Sequence, residues 1–492
     1  MAKILFTHSY FYRFDPKQWK TGQPYPPLGT IYAAAWMRSQ GHEVALFDTN
    51  LEEGPEGLQN YLNEFDPDFL VIYDDGFNYL TKMCLTNMRE AAFVMARMGK
   101  TQGAKVLVCS SDSTDHYQKY LEEGADVVIL GEGELTLAEF VENEETHPGE
   151  WANIQGLAFR NGEGEFIQTS KRPGMRELDS LPDPAWDLID IEPYREIWLK
   201  HHGRFALNIA TTRGCPFKCN WCAKPIYGNR YNSRSPERVV NEIEFLVNQF
   251  GVDYFWMCDD IFGLKPGWAQ EFRDLVKEKG LQFKYKIQSR VDLLLKEDTI
   301  EALVDSGLET VWVGAESGSQ KILDAMDKGT QVEQIYEATR LLKQKGARVA
   351  FFLQFGYLGE TKEDIQKTVD MVLELMPDEI GISVSYPLPG TKFYEKVKSH
   401  LGLKANWTDS DELAMMFQGT FTTGYYKRLH RYVHKVYRRK QGWNALKDTF
   451  FKPGAATKSH LRAVLSLLYY VPTALIDQVK LSRLENIQPQ KI

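Results

Sequence analysis

Thr211-Thr-Arg-Gly-Cys-Pro-Phe-Lys-Cys-Asn-Trp-Cys222 holds three of the chain's six cysteines, Cys215, Cys219 and Cys222, at C-x3-C-x2-C spacing. Three soft thiolates on a short loop with glycine and proline suit an iron–sulfur cluster better than a closed structural zinc site, which takes a fourth ligand. Neither a histidine nor a fourth cysteine follows closely, and the next cysteine is Cys258. A cluster on three thiolates leaves one iron open to another molecule. The stretch follows an apolar run, Phe205 to Ala210, and so reads as a strand-end loop.

Downstream, strand candidates recur at Tyr254–Met257, Lys284–Gln288, Thr310–Val313, Val349–Phe355 and Ile380–Tyr386. Helix candidates lie between them: Pro236–Asn248, Trp268–Glu278, Thr299–Asp305, Val332–Lys345 and Lys362–Leu375. Six strand–helix units predict a partial β/α barrel of about 200 residues, with functional side chains at the C-terminal strand ends. Asp259 and Asp260 follow the second strand, Arg290 the third, and Glu316, Ser317 and Gly318 the fourth. Gly356 and Gly359 follow the fifth, and Pro387 to Thr391 the sixth. Carboxylates there accept hydrogen bonds from an amine or ribose, Arg290 suits a carboxylate, and glycines let a ligand approach closely. Each residue taken alone is equally a cap, a turn or an ion pair; their recurrence at one kind of boundary is the signal.

Upstream, short apolar runs alternate with helical stretches. Strands are expected at Lys3–Phe6, Val44–Phe47, Phe69–Tyr73, Lys105–Val108 and Asp126–Leu130, and helices at Leu28–Ser39, Leu80–Met98, His116–Glu122 and Leu135–Glu142. The rhythm predicts a doubly wound α/β domain with a mostly parallel sheet. Two of its loops, Tyr25-Pro26-Pro27-Leu28-Gly29 and Gly131-Glu132-Gly133-Glu134, fall where such a sheet binds ligands. Turn and cap chemistry explains them as well on spacing alone. Asp74-Asp75 either contacts a polar ligand or ends a strand. Cys84 and Cys109 read as packing residues, and Cys258 stands at a strand end.

The expected organisation is an α/β domain over 1–150, a connecting or substrate-covering segment over 151–204, the barrel over 205–400 and a mainly helical cap over 401–492. The 492 residues are 43% hydrophobic and 25% charged with net charge −9, which argues against a generic nucleic-acid binder. Neither a presequence nor an uninterrupted spanning run is evident, and cysteine usage fits a reduced cytosol. Tyr425 to Arg438 is rich in aromatic and basic residues, read as an amphipathic packing helix or a cap over an acidic substrate. Leu461 to Ile476 is apolar but short and contains Pro472, which leaves peripheral membrane contact open.

The cysteine motif and its strand–loop–helix setting resemble the radical S-adenosylmethionine (SAM) superfamily. The resemblance implies a [4Fe–4S] cluster on Cys215, Cys219 and Cys222, with SAM chelating the fourth iron. Reductive cleavage of SAM then yields a 5′-deoxyadenosyl radical that abstracts hydrogen from an unreactive carbon. It further implies Asp259 and Asp260 near the methionine amine, Arg290 at its carboxylate, and Glu316 with Ser317 at the amine or ribose. A doubly wound domain ahead of the barrel is similar to the cobalamin-binding group of that superfamily. Tyr25–Gly29, Gly131–Glu134 and Asp411–Tyr426 resemble the branch containing anaerobic magnesium-protoporphyrin ester cyclases and related methylases. The chain departs from many cobalamin domains in lacking Asp-x-His-x-x-Gly; His8 stands near the right strand end without the neighbours. Cobalamin without a conventional lower histidine is therefore expected.

The implied reaction is radical methyl transfer to a carbon of a small, lipid-like or tetrapyrrole substrate. Oxidative cyclisation or rearrangement is the alternative ending; an RNA-modifying enzyme and a noncatalytic iron–sulfur protein are further alternatives. The implied partners are a low-potential donor such as flavodoxin or ferredoxin and no nucleic acid.

Overall fold

Five short, mainly apolar strands, each followed by a helix, build the N-terminal parallel sheet. The computed structural model describes residues 1–77, 86–224, 226–401, 413, 415–451 and 457–487. Two compact units result: Met1–Pro216 with Lys224–Gln288 and Asp305–Leu308, and Phe217–Ala223 with Ser289–Val304 and Glu309–Ile492.

In the first unit the order is β1 (Lys3–Thr7), α1 (Leu28–Ser39), β2 (Glu43–Phe47), α2 (Leu58–Phe65) and β3 (Phe69–Tyr73). There follow α3 (Thr86–Gln102), β4 (Lys105–Cys109), α4 (Ser111–Glu122), β5 (Val127–Ile129) and α5 (Glu134–Thr146). The strands lie β2-β1-β3-β4-β5, all parallel, so the expected doubly wound sheet is present. Leu70 and Ile72, like Val106 and Val108, sit two apart on one sheet face and pack on Ala92, Met95 and Ala96 of α3. Gly99 lets α3 approach; a Cβ there would stand 2.5 Å from Leu70. Truncating Leu70 to Ala would cost about 2–5 kcal/mol. The strand order reverses between β1 and β3, the place where such sheets open a ligand crevice.

The stretch 151–204 contains more structure than a connection. β6 (Leu157–Arg160) and β7 (Phe166–Gln168) extend the same sheet antiparallel, and α6 (Ile191–His202) is capped by Asp190 and ended by Gly203. Beyond it come β8 (Ala206–Ile209), α7 (Pro236–Phe250), β9 (Tyr254–Met257), α8 (Trp268–Glu278) and β10 (Lys284–Ser289). β9 pairs in parallel with both β8 and β10.

The second unit has β11 (Leu308–Glu316), α9 (Gln320–Ala325), α10 (Val332–Gln344), β12 (Arg348–Phe355), α11 (Lys362–Leu375), β13 (Glu379–Val384) and α12 (Lys392–Val397). β12 pairs in parallel with β11 and β13, and the register slips between Gly314 and Glu316. The C-terminal region is helical: α13 (Thr423–Phe451) and α14 (Lys458–Leu484). Asp477 of α14 pairs with Arg428 and Lys435 of α13, each at 2.7 Å. Gly442 admits Leu467, which would lie 2.7 Å from a Cβ at that position. Among the described residues no helix is long and apolar enough to cross a membrane. The start of the expected helix from Leu80, Cys84, and residues 411, 412 and 414 of the branch-like segment lie outside the described residues.

Candidate functional site

β8 runs into the cysteine loop, and the first unit fixes that entrance. Asp259, at the end of β9, accepts from Thr211 N and Thr212 N at 2.7 Å and from Thr211 Oγ1 at 2.5 Å. Burial pushes its carboxyl up to about 6, while those hydrogen bonds pull it down. Asp259 is therefore a brace for the strand end, and Asp260 beside it is exposed. Gly214 has φ +80°, and a Cβ there would sit 2.6 Å from the Arg230 carbonyl, so the residue before Cys215 has to be glycine.

Arg213 is the entrance's main anchor. It is 3% exposed and donates to Glu132 and, at 2.7 Å, to Glu134. Tyr32, Phe77 and Tyr227 surround its guanidinium, 5.3 to 5.8 Å from their ring centres. Burial works against its charge, but Glu134, Tyr227 and Glu132 outweigh that and raise its pKa. The loop Gly131–Glu134 is thereby tied to the strand end that carries Cys215. Gly133 N donates to the Tyr73 hydroxyl, and a Cβ on Gly133 would lie 2.6 Å from the Tyr73 ring. Gly131, at φ +86°, accepts from the Cys109 thiol. Glu132 also accepts from Met175 N at 2.8 Å.

Near the sheet's switch point, Gly29 N donates to Asp75, and Ser9 donates twice to Asp74. Pro26 accepts from Asn208 of β8 at 3.1 Å. Pro27 caps α1, which begins at Leu28. The Tyr25 ring packs on Trp198 and Trp256. The buried hydroxyls of Tyr25 and Tyr32 and one oxygen of Glu134 have no hydrogen-bond partner, which fits a polar ligand in this domain. His8 does not fit as a metal ligand: it is 1% exposed, and its ring nitrogens meet Asp48 at 2.9 Å and Thr49 at 3.1 Å.

Within the second unit, Asn220 anchors the segment that carries Cys219 and Cys222. Its Nδ2 donates to Ala325 O at 2.7 Å, its Oδ1 accepts from Tyr357 OH at 2.6 Å, and its backbone bonds Met326 and Phe393. Arg290 lies 3.7 Å from the Phe217 ring centre and donates to Asp292 and to Lys328 O. Glu316, at φ +57°, pairs with Lys328 at 2.8 Å, both nearly buried. Burial lowers the Lys328 pKa, but Glu316 and then Cys219 outweigh it and leave it raised. Ser317 Oγ meets Thr368 Oγ1 and accepts from Ser319 N. Gln354, Glu360 and Ser385, at the ends of β12 and β13, each keep a buried polar oxygen without a partner, as a polar ligand's site would.

Cys215, Cys219 and Cys222 are partly exposed and form no disulfide, and Cys222 N donates to Cys219 O across a tight turn. Among the described residues no three Cys, His, Asp or Glu side chains are grouped as a ready metal site. Three cysteines outside any disulfide and reachable from solvent nevertheless fit a cluster, which requires thiolates. Arg213, Asn220, Lys328 and Glu360 are the residues that sequence reasoning passed over. Arg213 and Asn220 lie inside the quoted motif, and only that position hinted at them.

A B12 binding domain model matches residues 20–141, and a radical SAM superfamily model matches residues 209–372. An uncharacterized methyltransferase of Pyrococcus horikoshii is 27% identical over 454 residues, which are 90% of this chain and 94% of that relative. The anaerobic magnesium-protoporphyrin IX monomethyl ester cyclase of Cereibacter sphaeroides is 32% identical over 297 residues, 59% of this chain. The chain spans only 48% of that cyclase's length. The fold is similar to that of the radical SAM methyltransferase TsrM from Kitasatospora setae, with TM-score 0.67 and 19% identity, covering 84% of this chain and 80% of that one. The two matched domains imply SAM, a [4Fe–4S] cluster and cobalamin as cofactors. This chain is a radical SAM enzyme that carries a B12-binding domain ahead of its radical SAM domain.

Proposed function

We propose that the enzyme transfers a methyl group to an unactivated carbon of a small, lipid-like or tetrapyrrole substrate. The observation that carries this reading is the cysteine loop, with three closely spaced cysteines outside any disulfide and an entrance tied by Arg213 to the Gly131–Glu134 loop of the B12-binding domain. Bound together, the cluster, SAM and cobalamin supply one-electron cleavage of a sulfonium and carriage of a methyl group.

The chain's residues do the positioning. Cys215, Cys219 and Cys222 hold the cluster, and Asp259 and Arg213 fix the loop that presents it. Asp260, Arg290, Glu316 and Ser317 are the proposed contacts for SAM. Tyr25–Gly29 and Gly131–Glu134 border the cobalamin, which takes no lower ligand from His8. A low-potential flavodoxin or ferredoxin supplies the electron.

The chain should be purified anaerobically from cells fed cobalamin, and iron, sulfide, cobalt and 5′-deoxyadenosine measured. About four iron and four sulfide with one corrinoid are expected. Replacing any of Cys215, Cys219 or Cys222 with Ala should abolish 5′-deoxyadenosine formation; full formation by those variants would refute the cluster assignment. The cyclase relative favours a second reading, oxidative ring closure. Transfer of labelled methyl from SAM into product separates the two.

A further inference from the structure

Leu461, Leu465, Leu468, Leu475, Ile476 and Val479 of α14 are each more than half exposed, Leu468 at 81%. At 100° per residue they fall in one sector about 100° wide. Ala474, Asp477 and Leu481, on the opposite side of the helix, are buried, and Asp477 is held by α13. The apolar sector therefore points away from the helix's own packing partner. On α13, Trp443, Leu446 and Phe450 are also exposed, at i, i+3 and i+7, with Phe450 at 78%.

Charge identifies what covers this surface. The two helices carry twelve Lys and Arg against two Asp, in a chain of net charge −9. Exposed Lys458 and Arg483 stand at the ends of the apolar sector, with exposed Arg462 and Lys480 along one flank. Long basic side chains around a ridge of Leu, Ile and Val match the boundary between lipid headgroups and acyl chains.

From this juxtaposition we infer that the α13–α14 hairpin is a docking surface for an anionic bilayer. The ridge enters the acyl boundary, and the surrounding Lys and Arg reach lipid phosphates. A second copy would bring like charge against like charge, and a nucleic acid would leave Leu468 and Phe450 in water.

The test is flotation of the full chain with vesicles of phosphatidylcholine alone or mixed equally with phosphatidylglycerol. Recovery on anionic vesicles should be about tenfold higher and should fall as salt screens the charges. A Leu465→Glu/Leu468→Glu variant should lose binding with an unchanged circular dichroism spectrum, and Lys458→Gln/Arg462→Gln should weaken it. Equal recovery on both vesicle types, or full binding by the Glu variant, would overturn the proposal. So would a dimer, seen by light scattering, that Leu468→Glu dissolves. Binding of single-stranded RNA without binding to vesicles would assign the surface to a nucleic acid instead.

Discussion

Arg213 in the first unit and Asn220 in the second are anchored by opposite chemistry. Arg213 is a buried cation between two carboxylates and three aromatic rings, whereas Asn220 is a neutral amide whose partners are carbonyls, a hydroxyl and, at 3.2 Å, the half-exposed carboxylate of Asp327. A buried ion pair depends on every member, because removing one strands a charge out of water. A neutral network degrades one bond at a time. The entrance beside Cys215 should therefore fail abruptly, and the Asn220 anchor gradually.

Arg213→Ala tests this contrast hardest. It leaves Glu132 and Glu134 uncompensated and should cost about 3–5 kcal/mol, read as a lower urea midpoint. Arg213→Met combined with Glu132→Gln and Glu134→Gln should recover most of that loss, because no buried charge remains. Loss without recovery would mean that shape, and not charge balance, makes Arg213 indispensable.

Glu360, a buried carboxyl of the second unit, gives the contrast a pH signature. It is fully buried and accepts from Gly356 N at 2.6 Å; burial pushes its carboxyl up to about 8. Between the unfolded value near 4.5 and about 8, the folded chain holds a proton that the unfolded chain has released. Stability must then fall as pH rises through that window, at up to about 1.4 kcal/mol per pH unit. Glu360→Gln removes the dependence, so melting curves from pH 5 to 8 should show the variant gaining on the parent as pH rises. A difference that stays flat with pH would refute the assignment.

Asn220→Ala should cost less, about 1–3 kcal/mol, because it removes the amide's bonds to the Ala325 carbonyl and the Tyr357 hydroxyl, which keep each other at 3.0 Å, without stranding a buried charge. If its urea midpoint falls as far as that of Arg213→Ala, the two anchors do not differ as their chemistry says.

Much of this was legible because its signals are local. The cysteine spacing lies within eight residues, and the parallel strands are short apolar runs that sequence marks directly. What stayed hidden is non-local. Arg213 was in plain view, but its partners lie 81 and 79 residues upstream. Asp259 was read as a ligand contact because it ends a strand, and nothing nearby announces its bonds to Thr211 and Thr212. The α13 helix runs 29 residues to Phe451, past the Tyr425–Arg438 stretch that composition marks, with Gly442 inside it. Its missing side chain makes room for Leu467, a reason that exists only once α14 is in place.

The smallest test is Tyr357→Phe. It removes the hydroxyl that donates to Asn220 Oδ1 and keeps the ring stacked on Phe393, 4.8 Å between centres. Asn220 keeps its bond to Ala325, so the loss should be about 0.5–1.5 kcal/mol, the worth of one neutral hydrogen bond. Together with Asn220→Ala it forms a double-mutant cycle, and a coupling near the whole Tyr357→Phe effect would assign that effect to this one contact. A coupling near zero would move the hydroxyl's contribution to the Ala325 carbonyl, 3.0 Å away, and leave Asn220 dependent on its backbone bonds and Nδ2.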